Sequence, residues 1–168
     1  ISESKMKEVV SMVKKFLKKV GLIGCGAIGT VRAQDIERGL VVCDELVVYD
    51  VDLQRAQKLK SSLNFPVTVV DSIDKLLSCK PKVVVEAASQ AAIKEYYNKL
   101  LAADVDLIVM STGALLTLGI SSHKVHFPSG AIGGLDALSS ASLAGIDELT
   151  LTSRKNPKAL GKDNTEET

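Results

Sequence analysis

Residues 3–17 carry Met6, Val9, Val10, Val13, Phe16 and Leu17 at helical spacing, with lysines between them. That spacing predicts an amphipathic helix. A basic helix of this kind suits packing on the domain or on a second subunit, and also suits a membrane surface or a partner. From residue 19 the periodicity changes. Lys19 to Ile23 reads as a short buried strand, and residues 28–39 as a helix. Glu45 to Asp50 reads as a second strand, Leu53 to Leu63 as a helix, and Pro66 to Val70 as a third strand. Ser72 to Ser78 reads as a short helix, Lys82 to Ala88 as a fourth strand, and Gln90 to Ala103 as a helix with Ala92, Ile93, Tyr96, Leu100 and Leu101 on its apolar side. Asp106 to Ser111 and Val125 to Phe127 read as strands five and six, and Ile132 to Leu143 as a last helix.

Strands that are apolar throughout are buried on both faces, which is the mark of a parallel sheet covered by helices. Strict strand–helix alternation gives the same class, an α/β doubly wound sheet. The end of the chain breaks the pattern. Glu148 to Arg154 alternates like a half-buried antiparallel strand, and a polar stretch from Gly161 to Thr168 follows. The expected organisation is a helical extension over residues 1–17, a core domain over 18–146, and over 147–168 the first strand of a truncated second domain with a polar tail.

Composition narrows the function classes. Lys plus Arg is 21 against 20 for Asp plus Glu, a net charge of +1. This balance argues against nucleic acid as a partner, and the absence of Trp argues against base-stacking platforms. No apolar run approaches the roughly 20 residues that span a bilayer, and no signal peptide is visible, so no membrane association is expected. Cys25, Cys43 and Cys79 are odd in number and widely spaced. They fit neither a disulfide framework nor a zinc site, and a reducing cytoplasm is the simplest setting.

The chemistry is concentrated at Gly24-Cys25-Gly26-Ala27-Ile28-Gly29, a G-x-G-x-x-G turn with a strand before it and a helix after it. Gly24 permits the tight turn, Gly26 lets the backbone approach a pyrophosphate, and Gly29 lets the helix pack on the strand. Ala27 and Ile28 open the helix, whose N–H groups and dipole favour phosphate. Asp50 ends the second strand 21 residues beyond Gly29, where an acid takes the hydroxyls of the adenine ribose. A carboxylate there repels a 2′-phosphate. The cofactor expected is therefore NAD, with NADP left open because Arg55 lies close by. These features together describe a Rossmann domain. A turn needed only for packing is the competing reading.

Ligands in such sheets sit beyond the carboxyl ends of the strands. Ala88 and Ser89 end strand four, and Ser111 and Gly113 end strand five. Small residues there suit backbone contact with the ribose and nicotinamide; they equally suit ordinary turns, with Ser89 as a helix cap. The glycine-rich stretch Pro128 to Asp136 suggests close approach of a ligand or a partner backbone, or else a loop leading into a helix. His126 alternates within a strand and His123 lies in a loop, so neither is read as catalytic. No metal-ligand spacing and no Ser/His/Asp arrangement is present.

Gly24 to Gly29, Glu86-Ala87-Ala88-Ser89, Val109 to Leu115 and Pro128-Ser129-Gly130-Ala131-Ile132-Gly133-Gly134-Leu135-Asp136-Ala137-Leu138 together resemble the L-aspartate dehydrogenase family. Thr152-Ser153-Arg154-Lys155 resembles the start of that family's second domain. The resemblance implies NAD(P)-dependent oxidative deamination of L-aspartate to iminoaspartate, feeding NAD biosynthesis in some organisms. It also implies an oligomeric enzyme, and it places Ala131 in a loop contacting the cofactor. The family's catalytic histidine and a cofactor-contacting Asn have no matching position here, so no catalytic residue is assigned. On this reading the chain is the cofactor half of such an enzyme: a fragment, a split product or an altered reading frame. The alternatives are a different NAD-dependent dehydrogenase and a non-catalytic NAD-binding or interaction module.

Overall fold

The computed structural model describes residues 19–120, 122–129 and 134–152. The helix expected over residues 3–17 and the segment after residue 152 lie outside the described residues. The chain divides into one unit ending at Gly130 and a second from Ala131 to Thr168.

The first unit alternates strand and helix. In order it contains β1 (Lys19–Ile23), α1 (Ala27–Glu37), β2 (Glu45–Tyr49), α2 (Leu53–Ser61), β3 (Val67–Val70), α3 (Ile73–Ser78), β4 (Val83–Glu86) and α4 (Gln90–Ala102). β5 (Asp106–Val109), a 3₁₀ turn (Thr112–Ala114), α5 (Leu115–Leu118) and β6 (Val125–His126) follow. All six strands pair in parallel in the order β3-β2-β1-β4-β5-β6. This is the strand order of doubly wound dinucleotide-binding sheets, and it reverses direction between β1 and β4.

Strand residues point alternately to the two faces, so each strand feeds two cores. Leu46 and Val48 join Val20, Leu22, Ala33, Ile36, Ala56, Leu59 and Val67 on one face, beneath α1 and α2. Val47 joins Ile23, Leu76, Val84, Ile93, Leu100, Leu107 and Val109 on the other, beneath α3 and α4. Both faces are dry, which is why these strands read as apolar runs rather than alternating ones. Side-chain caps fix several helix starts: Asp52 accepts from the Gln54 N–H, Ser72 from the Lys75 N–H and Ser89 from the Ala92 N–H.

In the second unit the described part is α6 (Leu135–Ser142) and the chain to residue 152. α6 starts after Gly134, whose φ of +73° is left-handed. Here the sequence expectation is corrected. Residues 148–152 form no strand, and Leu149 and Leu151 are exposed. Alternation alone does not make a strand; a ladder needs a neighbour, and no described strand lies beside this one.

Candidate functional site

The turn between β1 and α1 is held from below. The Gly24 N–H donates to the Tyr49 carbonyl at 2.8 Å, and the Cys25 N–H donates to Asp50 Oδ2 at 2.7 Å. Gly24 sits at φ +93°, and a Cβ there would lie 2.7 Å from the Ala87 oxygen and from Ala88 Cα. A Cβ on Gly29 would overlap the Gly24 carbonyl oxygen. Both glycines are therefore required by backbone packed against backbone. Gly26 differs: a Cβ there would meet nothing within 4 Å. The protein leaves that space open, as a cradle for a diphosphate requires.

Gly26, Ala27 and Ile28 stand at the start of α1. Among the described residues no acceptor meets their N–H groups, and no acid occupies the first helical turn. Unpaired N–H groups at the positive end of a helix form an anion site. The donor set thus fits the phosphates of a dinucleotide.

Asp50 follows β2 and is buried. Oδ2 accepts from Cys25 and Oδ1 from the Asp52 N–H at 2.8 Å. Each oxygen keeps a lone pair for a further donor, such as a ribose hydroxyl. The carboxylate therefore orients the turn as well as facing the cleft. Burial, and then the charge of Asp50, push the Cys25 thiol up to about 12, which leaves it protonated and inert.

A cleft of about 380 Å³ opens here, lined by Gly24, Gly26, Asp50, Val51, Arg55, Ala87, Ala88 and Ser89 with Ala91, Ala92, Glu95 and Tyr96 of α4. Tyr49 also lines it; its hydroxyl lies 3.3 Å from that of Tyr96, with the rings edge to face at 6.1 Å. The bond to Tyr49, and then burial, raise the Tyr96 phenol above its ordinary range. Arg55 pairs with Asp52, Nε to Oδ2 at 3.3 Å.

The structure thus gathers Gly24, Gly26, Asp50, Ala88 and Ser89 around one cleft, with Ala27 and Ile28 exposed at its helix start and Gly29 buried beneath. Ser111 and Gly113 lie beyond it at the end of β5. Ser111 is tied to Glu86 through its N–H and its hydroxyl, and Gly113 faces the Gln90 side chain. Ala131 lies outside the described residues. His123 and His126 are exposed and line no part of the cleft; His126 Nε2 meets Asp106 Oδ1 at 3.3 Å. Sequence reasoning missed Tyr49 and Tyr96 as cleft residues, and Glu86 as a buried hub. An acid ending an otherwise apolar strand was the available signal for Glu86.

The family model described as homoserine dehydrogenase, NAD binding domain, matches residues 24–122. The chain is similar to L-aspartate dehydrogenase of Methanothermobacter thermautotrophicus, with 38% identity over 86% of this chain and 59% of that protein. It is similar also to L-aspartate dehydrogenase of Archaeoglobus fulgidus, with 42% identity over 85% of this chain and 59% of that protein. Among solved structures, aspartate dehydrogenase from Thermotoga maritima superposes with a TM-score of 0.54 at 30% identity, covering 89% of this chain and 60% of that one. Myo-inositol dehydrogenase from Lactobacillus casei superposes with a TM-score of 0.59 at 20% identity, a likeness of fold. The chain spans somewhat over half the length of the L-aspartate dehydrogenases it matches. Open turn, unpaired helix start and acid-tipped strand agree with these matches: the chain belongs to the family of homoserine dehydrogenase NAD-binding domains, and NAD is the cofactor its turn is built to hold.

Proposed function

We propose that this chain supplies the cofactor-binding part of an NAD-dependent L-aspartate dehydrogenase, which oxidises L-aspartate to iminoaspartate. The observation that carries the reading is the 38–42% identity to enzymes of that name across about 85% of the chain. When bound, NAD takes up the hydride that leaves the α-carbon. The chain's own residues bind and orient. The N–H groups at Gly26, Ala27 and Ile28 hold the diphosphate. Asp50 accepts from the adenine ribose and disfavours a 2′-phosphate, with Asp52 keeping Arg55 engaged, so NAD is preferred to NADP. Ala88 and Ser89 border the adenosine half. Ser111 and Gly113 border the nicotinamide half.

The domain limits proposed are 18–146 for the dinucleotide-binding domain and 147–168 for the start of a second domain. A homo-oligomer in the cytoplasm is the proposed working form. Free Cys25, Cys43 and Cys79 support a reducing compartment, and no described helix is long and apolar enough to cross a membrane. The test is calorimetric titration of NAD and NADP into the chain, followed by mixing with the remaining part of a similar L-aspartate dehydrogenase. Expected are NAD binding by the chain and aspartate-dependent NADH formation on mixing. NADH formation with another amino acid and none with aspartate would replace the substrate assignment.

A further inference from the structure

Glu86 ends β4, whose other residues are three valines, and it is fully buried. Its carboxylate accepts three hydrogen bonds. Oε1 receives the Ala88 N–H and the Ser111 hydroxyl, each at 2.8 Å, and Oε2 receives the Ser111 N–H at 3.0 Å. These bonds lock the loop after β4 to the loop after β5. Yet every donor is neutral. Among the described residues no lysine, arginine or histidine lies within ion-pair distance. A buried charge of this kind is costly. Joining two turns asks only for a neutral acceptor, so the charge itself calls for a counterpart. Glu86 stands at the carboxyl ends of two central strands, the edge of the sheet where ligands bind.

The inference rests on the cofactor reading above. In that reading the nicotinamide half borders Ser111, the residue Glu86 holds. The nicotinamide ring carries a positive charge when oxidised and none when reduced, whereas the adenosine half is the same in both forms. We infer that Glu86 is a positioning residue that sets the redox preference of the site, its buried charge favouring the oxidised dinucleotide over the reduced one. In a partly desolvated site the field of one charge on another is strong enough to move an affinity ratio about fivefold or more. Asp50, at the other end of the cofactor, meets the same chemistry in both forms and leaves the ratio alone.

The test is paired titration of NAD and NADH into the full 168-residue chain and into Glu86→Gln, Glu86→Asp and Asp50→Asn variants. Glu86→Gln should shift the ratio of dissociation constants toward NADH by about fivefold or more. Glu86→Asp keeps the charge, so its ratio should stay within about twofold of wild type even where both affinities fall. Asp50→Asn should weaken both forms alike. An unchanged ratio in Glu86→Gln overturns the inference and leaves the cofactor site standing. Binding of neither form by the wild-type chain overturns the cofactor reading, and the inference with it. Should Glu86→Gln lose its far-ultraviolet circular dichroism, Glu86→Ser is the neutral variant under the same criterion.

Discussion

Gly26 and Gly29 stand three residues apart in one turn, but an added methyl group should act on them in opposite ways. At Gly29 the new Cβ overlaps the Gly24 carbonyl oxygen, and both partners are backbone. Relief requires α1 to lift from β1, disturbing Ala33 and Ile36 in the core behind it. Overpacking of this kind costs about 1–3 kcal/mol. In a chain of this size that lowers Tm by about 2–4 °C per kcal/mol. At Gly26 the backbone has φ −75°, which any residue adopts, and the new Cβ meets nothing. Gly26→Ala should therefore leave stability unchanged or raise it by up to about 1 kcal/mol, by restricting the unfolded chain. Binding should reverse the order. A methyl group at Gly26 stands where the diphosphate must approach, and each lost hydrogen bond to a charged group is worth about 1.5–3 kcal/mol. NAD affinity should fall at least about tenfold. Thermal unfolding by circular dichroism, with and without NAD, reads both effects. If Gly26→Ala unfolds as early as Gly29→Ala, or keeps the full upward shift of Tm with NAD, the division of labour in the turn is wrong.

Asp50→Asn should raise NADP affinity relative to NAD by about an order of magnitude, since it removes the charge that repels a 2′-phosphate; parallel titrations check it, and an unchanged ratio would place discrimination elsewhere. Glu45 is held below the usual carboxylate range, first by the Thr68 hydroxyl at 2.6 Å and then by Lys19 at 3.1 Å. Its contribution is present above the ordinary value of 4.5 and fades as pH falls through the lowered one, so Glu45→Gln should flatten the acid limb of a urea-midpoint profile. Cys25 should resist iodoacetamide at pH 8 in the native chain and react once unfolded in urea, as peptide mapping can show. Leu107→Ala, in the middle of β5 and fully buried, should cost about 2–5 kcal/mol in denaturant unfolding.

Strand–helix alternation, the apolar character of β1 to β5 and the glycine turn with its acid were legible because each is a local pattern. Hydrophobic period names the element, glycine marks where side chains cannot go, and Asp50 falls where a second strand must end. The sheet class followed from those alone. Element ends were less legible, since the last strand residue is set by its neighbour: Asp106 to Ser111 reads as six residues, but pairing with β4 stops at Val109. The same cause removed the strand expected over 148–154, whose described part, 148–152, has no described partner to pair with.

What only the tertiary structure decided is which distant residues share one space. Tyr49 and Tyr96, 47 positions apart, meet through their hydroxyls, one at the end of β2 and the other on α4, where both line the cleft. That the N–H and the hydroxyl of Ser111 both donate to Glu86, 25 positions earlier, is likewise a product of the fold. Periodicity can say that Glu86 ends a buried strand. Whether its charge is solvated, paired or left to neutral donors depends on the neighbours that packing brings to it, and that pairing is a property of the sheet rather than of any stretch of sequence.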